Sequence, residues 1–131
     1  MATSLITQGL QFPDNTVMYS ASELERTIVI TSATTTIDLS ASNYSSFIKA
    51  NVTASSVITF TNPLNTTDTV YSFSLMTTNL GSAHNLSFGN SVKWPDGVQP
   101  ARTTANNGVD VWSFFVSSNT YYGSLSMANV S

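Results

Sequence analysis

The sequence predicts an all-β protein, an antiparallel β-sandwich of jelly-roll type with an extended N-terminal arm. The first observation is composition, because only 8% of the residues are charged while aromatic residues make up 11%. The chain is also rich in serine and threonine, and β-branched and aromatic side chains favour the pleated sheet. The second observation is a series of short apolar-polar alternations separated by turn signals. No helical pattern of useful length interrupts them, which excludes a parallel α/β sheet.

The length of 131 residues allows one domain with a hydrophobic core. We predict a β-sandwich domain over residues 27–131, preceded by an arm over residues 1–26. The arm has apolar residues that fit neither a helical stripe nor a strict alternation, namely Leu5, Ile6, Leu10 and Phe12. Because the arm is too short to fold alone, we expect it to pack on the domain, on a sister subunit or on another protein.

The charge pattern excludes several classes of partner. Four basic residues are spread along a chain of net charge -3, whereas nucleic-acid binding requires clustered Lys and Arg. No apolar run approaches the roughly 20 residues that span a bilayer, so we expect no membrane insertion.

The N-terminal residues lack the pattern of a signal peptide, and we expect synthesis in the cytoplasm. Without cysteine, stability must come from packing or oligomerisation.

The strands follow the arm in regular order. We predict strands over 27–31, 36–41, 47–52, 56–61, 70–77 and 84–88. The clearest alternation lies in 70–77, where Tyr71, Phe73 and Leu75 face one way. Ser72 and Ser74 face the other way, which is typical of a strand with one buried and one wet face.

The stretch 91–127 contains both tryptophans and the densest aromatic run, so a core or a binding surface is expected to centre on it. Pro95-Asp96-Gly97 is a turn, since proline fixes φ and glycine tolerates the left-handed conformation. Residues 109–116 form a strand rich in valine and aromatics, and 121–127 form its returning partner in a hairpin.

The strand 109–116 carries apolar residues on both of its faces. Alternation places Val109, Val111 and Phe115 on one face, and Trp112, Phe114 and Val116 on the other. Such a strand is normally covered on both sides, and the second cover would be a neighbouring subunit.

Three aromatic residues are candidates for a sugar-binding platform. Trp94, Tyr121 and Tyr122 offer rings whose faces suit the C–H face of a pyranose. The alternative is that these side chains belong to the core or to a subunit interface.

The sequence offers little for catalysis or for metal binding. A glycosidase needs two converging carboxylates, whereas most of the seven acidic residues lie in predicted turns, where solvated carboxylates are the simpler interpretation. His84 is the sole histidine, and zinc requires three or four protein donors. Three copies around a trimer axis could supply them, but a hydrogen-bonded residue beginning a short strand is the expectation. We predict no catalytic residue, no metal site and no cofactor.

Several motifs resemble a known family. The succession VKWPDGVQP, NNGVDVWSFFV and TYYGSLS is similar to the C-terminal β-domain of tailed-bacteriophage fibre proteins. The earlier segments TIDLS, VITFTNP and VYSFSLMT fit the same domain, and GLQFPDNTVMYSA resembles a short motif of phage tail and fibre proteins. Asn15 stands where that motif often has glycine, and asparagine also tolerates positive φ. The family usually has a long shaft before this domain, and its lack here favours a stubby spike, a short fibre or a decoration.

The resemblance implies a structural virion protein, assembled as a homotrimer. The arm would dock on a baseplate, tail or capsid protein, while the β-domain would contact a glycan on the host surface. The alternative within the same setting is a capsid decoration, cement or head-fibre protein. A third possibility is a small polysaccharide-cleaving enzyme.

Overall fold

The structure, a computed structural model, describes residues 25–40, 45–63 and 70–130 in full, together with the backbone of three short strands nearer the N-terminus. These strands, β1 (Ser4–Ile6), β2 (Gly9–Gln11) and β3 (Val17–Met18), form an antiparallel sheet in the order β1-β2-β3. Leu5, Ile6 and Leu10 of the predicted arm belong to β1 and β2, whereas Phe12 lies outside the described residues. The docking role of the arm stays a prediction.

Eight further strands make up the domain. They are β4 (Arg26–Ile30), β5 (Thr34–Asp38), β6 (Phe47–Val52), β7 (Ser56–Thr61), β8 (Val70–Asn79), β9 (Leu86–Phe88), β10 (Val109–Ser117) and β11 (Thr120–Val130). The described residues contain one 3-10 turn, Pro95–Gly97, and no α-helix. The all-β prediction is confirmed, and β6 and β7 begin and end at the predicted residues. Within these described ranges no helix is long and apolar enough to cross a membrane.

The strand pairing corrects the predicted antiparallel jelly roll. The eight strands of the domain form two sheets, with the orders β11-β10-β8-β6-β4 and β5-β7-β9. Strands β8, β10 and β11 pair antiparallel, but β4-β6-β8 and β5-β7-β9 are parallel. The reason is that β4, β6 and β8 are each followed by a strand of the opposite sheet. The chain therefore winds in coils, and each strand from β4 to β8 lies beside the strand two places further along.

Backbone hydrogen bonds continue this stacking at the corners between the sheets. The N–H of Thr53 donates to the carbonyl of Ile30 over 3.0 Å, and the N–H of Leu80 donates to Val52 over 2.9 Å. The corner of one coil thereby rests on the corner of the coil before it. These bonds give partners to the carbonyl groups of the buried residues Ile30 and Val52, where the chain leaves the sheet ladders.

The core lies between the two sheets, whose inward side chains meet there. The ring of Phe60 on β7 packs at 5.1 Å from Phe73 and at 5.2 Å from Phe114 on the five-stranded sheet. Phe88 on β9 likewise contacts Trp112 at 5.4 Å. The buried set includes Tyr71, Phe73 and Leu75 on one face of β8, and Trp112, Phe114 and Val116 on one face of β10. Both facing predictions are confirmed.

Candidate functional site

The outer face of the five-stranded sheet carries its side chains in rows that cross the strands. Ser72 pairs with Phe115, Phe115 pairs with Tyr122, and Tyr122 pairs with Lys93. Directly paired residues project from the same face, with Cβ atoms about 5 Å apart. These four residues form what we term the aromatic row.

A two-residue turn sets the register at the centre of this row. Ser118 and Asn119 have φ values of 50° and 62°, and two positive values are what a type I′ hairpin requires. The turn places Phe115 opposite Tyr122, whose ring centroids are 4.7 Å apart at an interplanar angle of 13°. Phe115 is 45% exposed and Tyr122 is 38% exposed. This stacked pair therefore leaves aromatic surface available on the outside of the sheet.

Lys93 reaches the row because its backbone extends the sheet beyond β11. Its N–H donates to the carbonyl of Tyr121 over 2.8 Å, and its own carbonyl accepts from the N–H of Gly123 over 3.0 Å. These two bonds fix the backbone of Lys93 beside Tyr122. The side chain of Lys93 therefore starts at the end of the aromatic row and lines the groove.

A groove of about 500 Å³ lies along the aromatic row. Ser113 and Ser124 line it next to the row, and they pair with each other across β10 and β11. Ser74 pairs with Ser113 from the other side and extends a line of hydroxyl groups. The groove thus combines exposed aromatic rings, serine hydroxyls and one ammonium group.

Trp94 forms the border between the groove and the core. It lines the groove, and it also packs at 5.8 Å from both Trp112 and Phe114. The indole fits because residue 123 is glycine, where a Cβ would lie 2.7 Å from the indole Cζ3. The Pro95–Gly97 turn then carries the chain away, with φ positive at Asp96 as well as at Gly97.

Two of the three predicted platform residues, Trp94 and Tyr122, line the groove, but Tyr121 does not. Tyr121 is only 4% exposed and stacks on Phe60 in the core, with ring centroids 5.6 Å apart. Neighbouring residues of a strand point to opposite faces, so Tyr121 and Tyr122 cannot serve one surface together. Burial also raises the pKa of the Tyr121 phenol. Tyr121 is therefore removed from the predicted platform.

The sequence prediction missed Phe115, Lys93 and the serines as groove residues. Alternation placed Phe115 on the same face as Val109 and Val111 but did not show that this face is the outer one. A two-residue hairpin turn at Ser118 and Asn119 would also have placed it opposite Tyr122. The approach of Lys93 to β11 is a tertiary contact, and no local pattern marks it.

A second polar cluster lies inside the protein and has a structural role. Asp110, on β10, is 1% exposed. Its carboxylate accepts hydrogen bonds from the N–H and hydroxyl of Thr103, over 2.6 and 2.7 Å, and from the N–H of Asn129 over 3.0 Å. The cluster thereby ties the loop before β10 and the end of β11 to the sheet.

Arg102 completes this cluster. It donates to the side chain of Asn79 over 3.2 Å and to the carbonyl of His84. Burial lowers the pKa of Arg102, and the charge of Asp110 partly opposes that shift. His84, predicted to be hydrogen-bonded, has its Nε2 3.0 Å from the carbonyl of Leu80. Among the residues described, no group of three or more His, Cys, Asp or Glu side chains could hold a metal ion.

The opposite end of the outer face is aliphatic. Met76 pairs with Val111, which pairs with Met127, and Met127 is 53% exposed. We term these three residues the aliphatic row. Lys49, on β6, lies beside Met76. The ammonium group of Lys49 is 3.6 Å from a carboxylate oxygen of Glu25.

The chain matches no protein-family model, no curated protein and no solved structure.

Proposed function

We propose that the chain is a structural protein of a tailed-phage virion, a short tail fibre or spike that binds a glycan on the host surface. Residues 1–26 attach it to the particle, and the groove beside the aromatic row receives the glycan. The observation that carries the proposal is the stacked pair of Phe115 and Tyr122, exposed on a serine-rich sheet face.

The chemistry of the groove suits a sugar. The C–H face of a pyranose packs against an aromatic ring, while its hydroxyl groups exchange hydrogen bonds with serine hydroxyls. A volume of about 500 Å³ lies in the range of ordinary small-ligand sites. The virion setting rests on the resemblance of the strand and turn motifs to phage fibre domains.

The composition of the groove favours binding over cleavage. Glycoside hydrolysis requires two carboxyl groups on either side of the scissile bond. None of the described residues that line the groove is Asp or Glu. A sugar in this groove would therefore be held without being hydrolysed.

A homotrimer is part of the proposal. The aliphatic row offers exposed apolar surface at one end of the sheet, apart from the groove, and a second copy of the chain is the occupant that we propose for it. The same surface suits the second candidate, a capsid decoration or head-fibre protein that contacts its neighbours on the particle. Locating the protein on the virion by electron microscopy separates the two, because a fibre lies on the tail and a decoration covers the head.

Binding of the whole chain to host cells and to a glycan array tests the glycan function. Tyr122→Ala should weaken binding about tenfold, since it removes stacking surface, and Phe115→Ala should act in the same direction. Val98→Ala is the control, because Val98 is 67% exposed and is not among the residues that line the groove. Unchanged binding by both aromatic variants would refute the groove as the receptor site.

A further inference from the structure

Lys93 is the one charged side chain among the described residues that line the groove. It ends the aromatic row, directly beside Tyr122. Lys49, on the same outer face, is already within 3.6 Å of the Glu25 carboxylate. In a chain of net charge -3, the groove therefore has a local positive group with no carboxylate in its lining.

We propose that the groove takes an acidic saccharide, with a sugar ring on Tyr122 and the ammonium group of Lys93 on a carboxylate or phosphate substituent. This inference rests on the proposed glycan function and adds the ligand class. Adjacent positions across paired strands are about 5 Å apart, which is close to the width of a pyranose. A ring stacked on Tyr122 would thus present its substituent to the flexible ammonium group of Lys93.

The ammonium group confers selectivity more than affinity. A neutral sugar would gain only a hydrogen bond from the Lys93 ammonium group to a hydroxyl oxygen, whereas an anionic substituent would also gain the attraction of opposite charges. Exposed ion pairs are weak and are screened by salt. The charge of Lys93 thus distinguishes acidic from neutral glycans whose rings stack equally well.

The test measures calorimetric affinities of the full chain for three polymers: a uronate-containing polysaccharide, the same polymer after reduction of its carboxyl groups, and a glycan with phosphate substituents. Lys93→Gln should weaken binding of the acidic polymers about fivefold and weaken binding of the reduced polymer much less. Lys49→Gln is the matched control, since it removes the same charge from the same sheet face. The preferred acidic polymer identifies carboxylate or phosphate as the recognised group.

The outcomes separate this inference from the proposed function. Equal affinity of the wild-type chain for the acidic and reduced polymers, with loss in Tyr122→Ala, would overturn the acidic class and keep glycan binding. Equal weakening by Lys93→Gln and Lys49→Gln would also overturn it, because net charge would then explain the effect. No binding of any glycan by the wild-type chain would overturn both.

Discussion

The indole of Trp94 lies directly against Gly123, where a Cβ would come within 2.7 Å of the indole Cζ3 and 2.8 Å of Cε1 of Phe114. The contact exists because residue 123 has no side chain. Through it, the border of the groove packs on the aromatic core. A substitution at position 123 should therefore disturb both the border of the groove and the aromatic core.

Gly123→Ala should destabilise the fold by about 1–3 kcal/mol, because the new methyl group overpacks two rings. Denaturant unfolding measures the loss, and tryptophan fluorescence reports the displaced indole. Ser124→Ala, at the next position on the outward face, is the control and should change neither. An unaltered spectrum and stability in Gly123→Ala would contradict the close packing of Trp94.

Asn90 pairs with the backbone of Phe60 as a further strand residue would. Its side chain accepts from the N–H of Phe60 over 2.7 Å and donates to the carbonyl over 2.9 Å. Asn90→Ala should cost about 1–3 kcal/mol, since it leaves both groups of Phe60 without this partner. Hydrogen exchange should show faster exchange at Phe60 and little change at Ile58, and equal protection at Phe60 before and after the substitution would count against the pairing.

The indole N–H of buried Trp112 donates to the hydroxyl of Thr77 over 3.1 Å. Thr77→Val keeps the shape and removes the acceptor, so a buried donor is left unpaired at a cost of about 1–3 kcal/mol. Thr78→Val, one position along and on the outer face, should have a much smaller effect. Similar unfolding free energies for the two variants would show that the hydroxyl of Thr77 is unimportant.

The buried phenol of Tyr121 predicts a loss of stability at high pH. Because burial raises the pKa of Tyr121 in the folded state, that state holds the proton where the unfolded chain begins to lose it. The contribution is complete below the unfolded pKa of about 10 and is lost as pH rises through the folded-state pKa. Urea unfolding at a series of alkaline pH values should show a flatter decline in Tyr121→Phe than in the wild type. Parallel declines would contradict the shift.

The aliphatic row predicts the site of subunit contact. Met127→Asp should shift the proposed trimer towards monomer, because a charge would be buried in the contact. Val57→Asp is the control, since Val57 is exposed on the other sheet. Size-exclusion chromatography with light scattering measures the mass, and a monomeric wild type or a trimeric Met127→Asp would refute this contact.

Period-two alternation was enough to place most strands of the domain and to divide the side chains of a strand between its two faces. The buried side chains of β8, Tyr71, Phe73 and Leu75, are an example. Alternation does not reveal the partner of a strand, because an outgoing strand shows the same pattern whether the chain folds back or crosses to the opposite sheet. The number of residues between paired positions also differs from one coil to the next, as the pairs Arg26–Ile48 and Phe47–Ser74 show. The sequence therefore contains no fixed repeat that would predict the coils.

The candidate site was predictable to a similar extent. Trp94 and Tyr122 could be chosen by residue type, but separating Tyr122 from Tyr121 requires knowing which face of β11 is covered. The pairing of Phe115 with Tyr122 follows from the hairpin register. The position of Lys93 depends on its backbone pairing with Tyr122 of β11. The two residues are distant in sequence, and only the folded chain brings them together.

Chemical-shift mapping of the isotope-labelled chain during titration with host-surface polysaccharide shows directly whether the groove binds the glycan. We expect the largest shifts at Phe115, Tyr122 and Lys93 and at the serines beside them, with the amides of β5, β7 and β9 unchanged. Shifts concentrated on the sheet of β5, β7 and β9, or no shifts at saturating polysaccharide, would contradict binding in the groove.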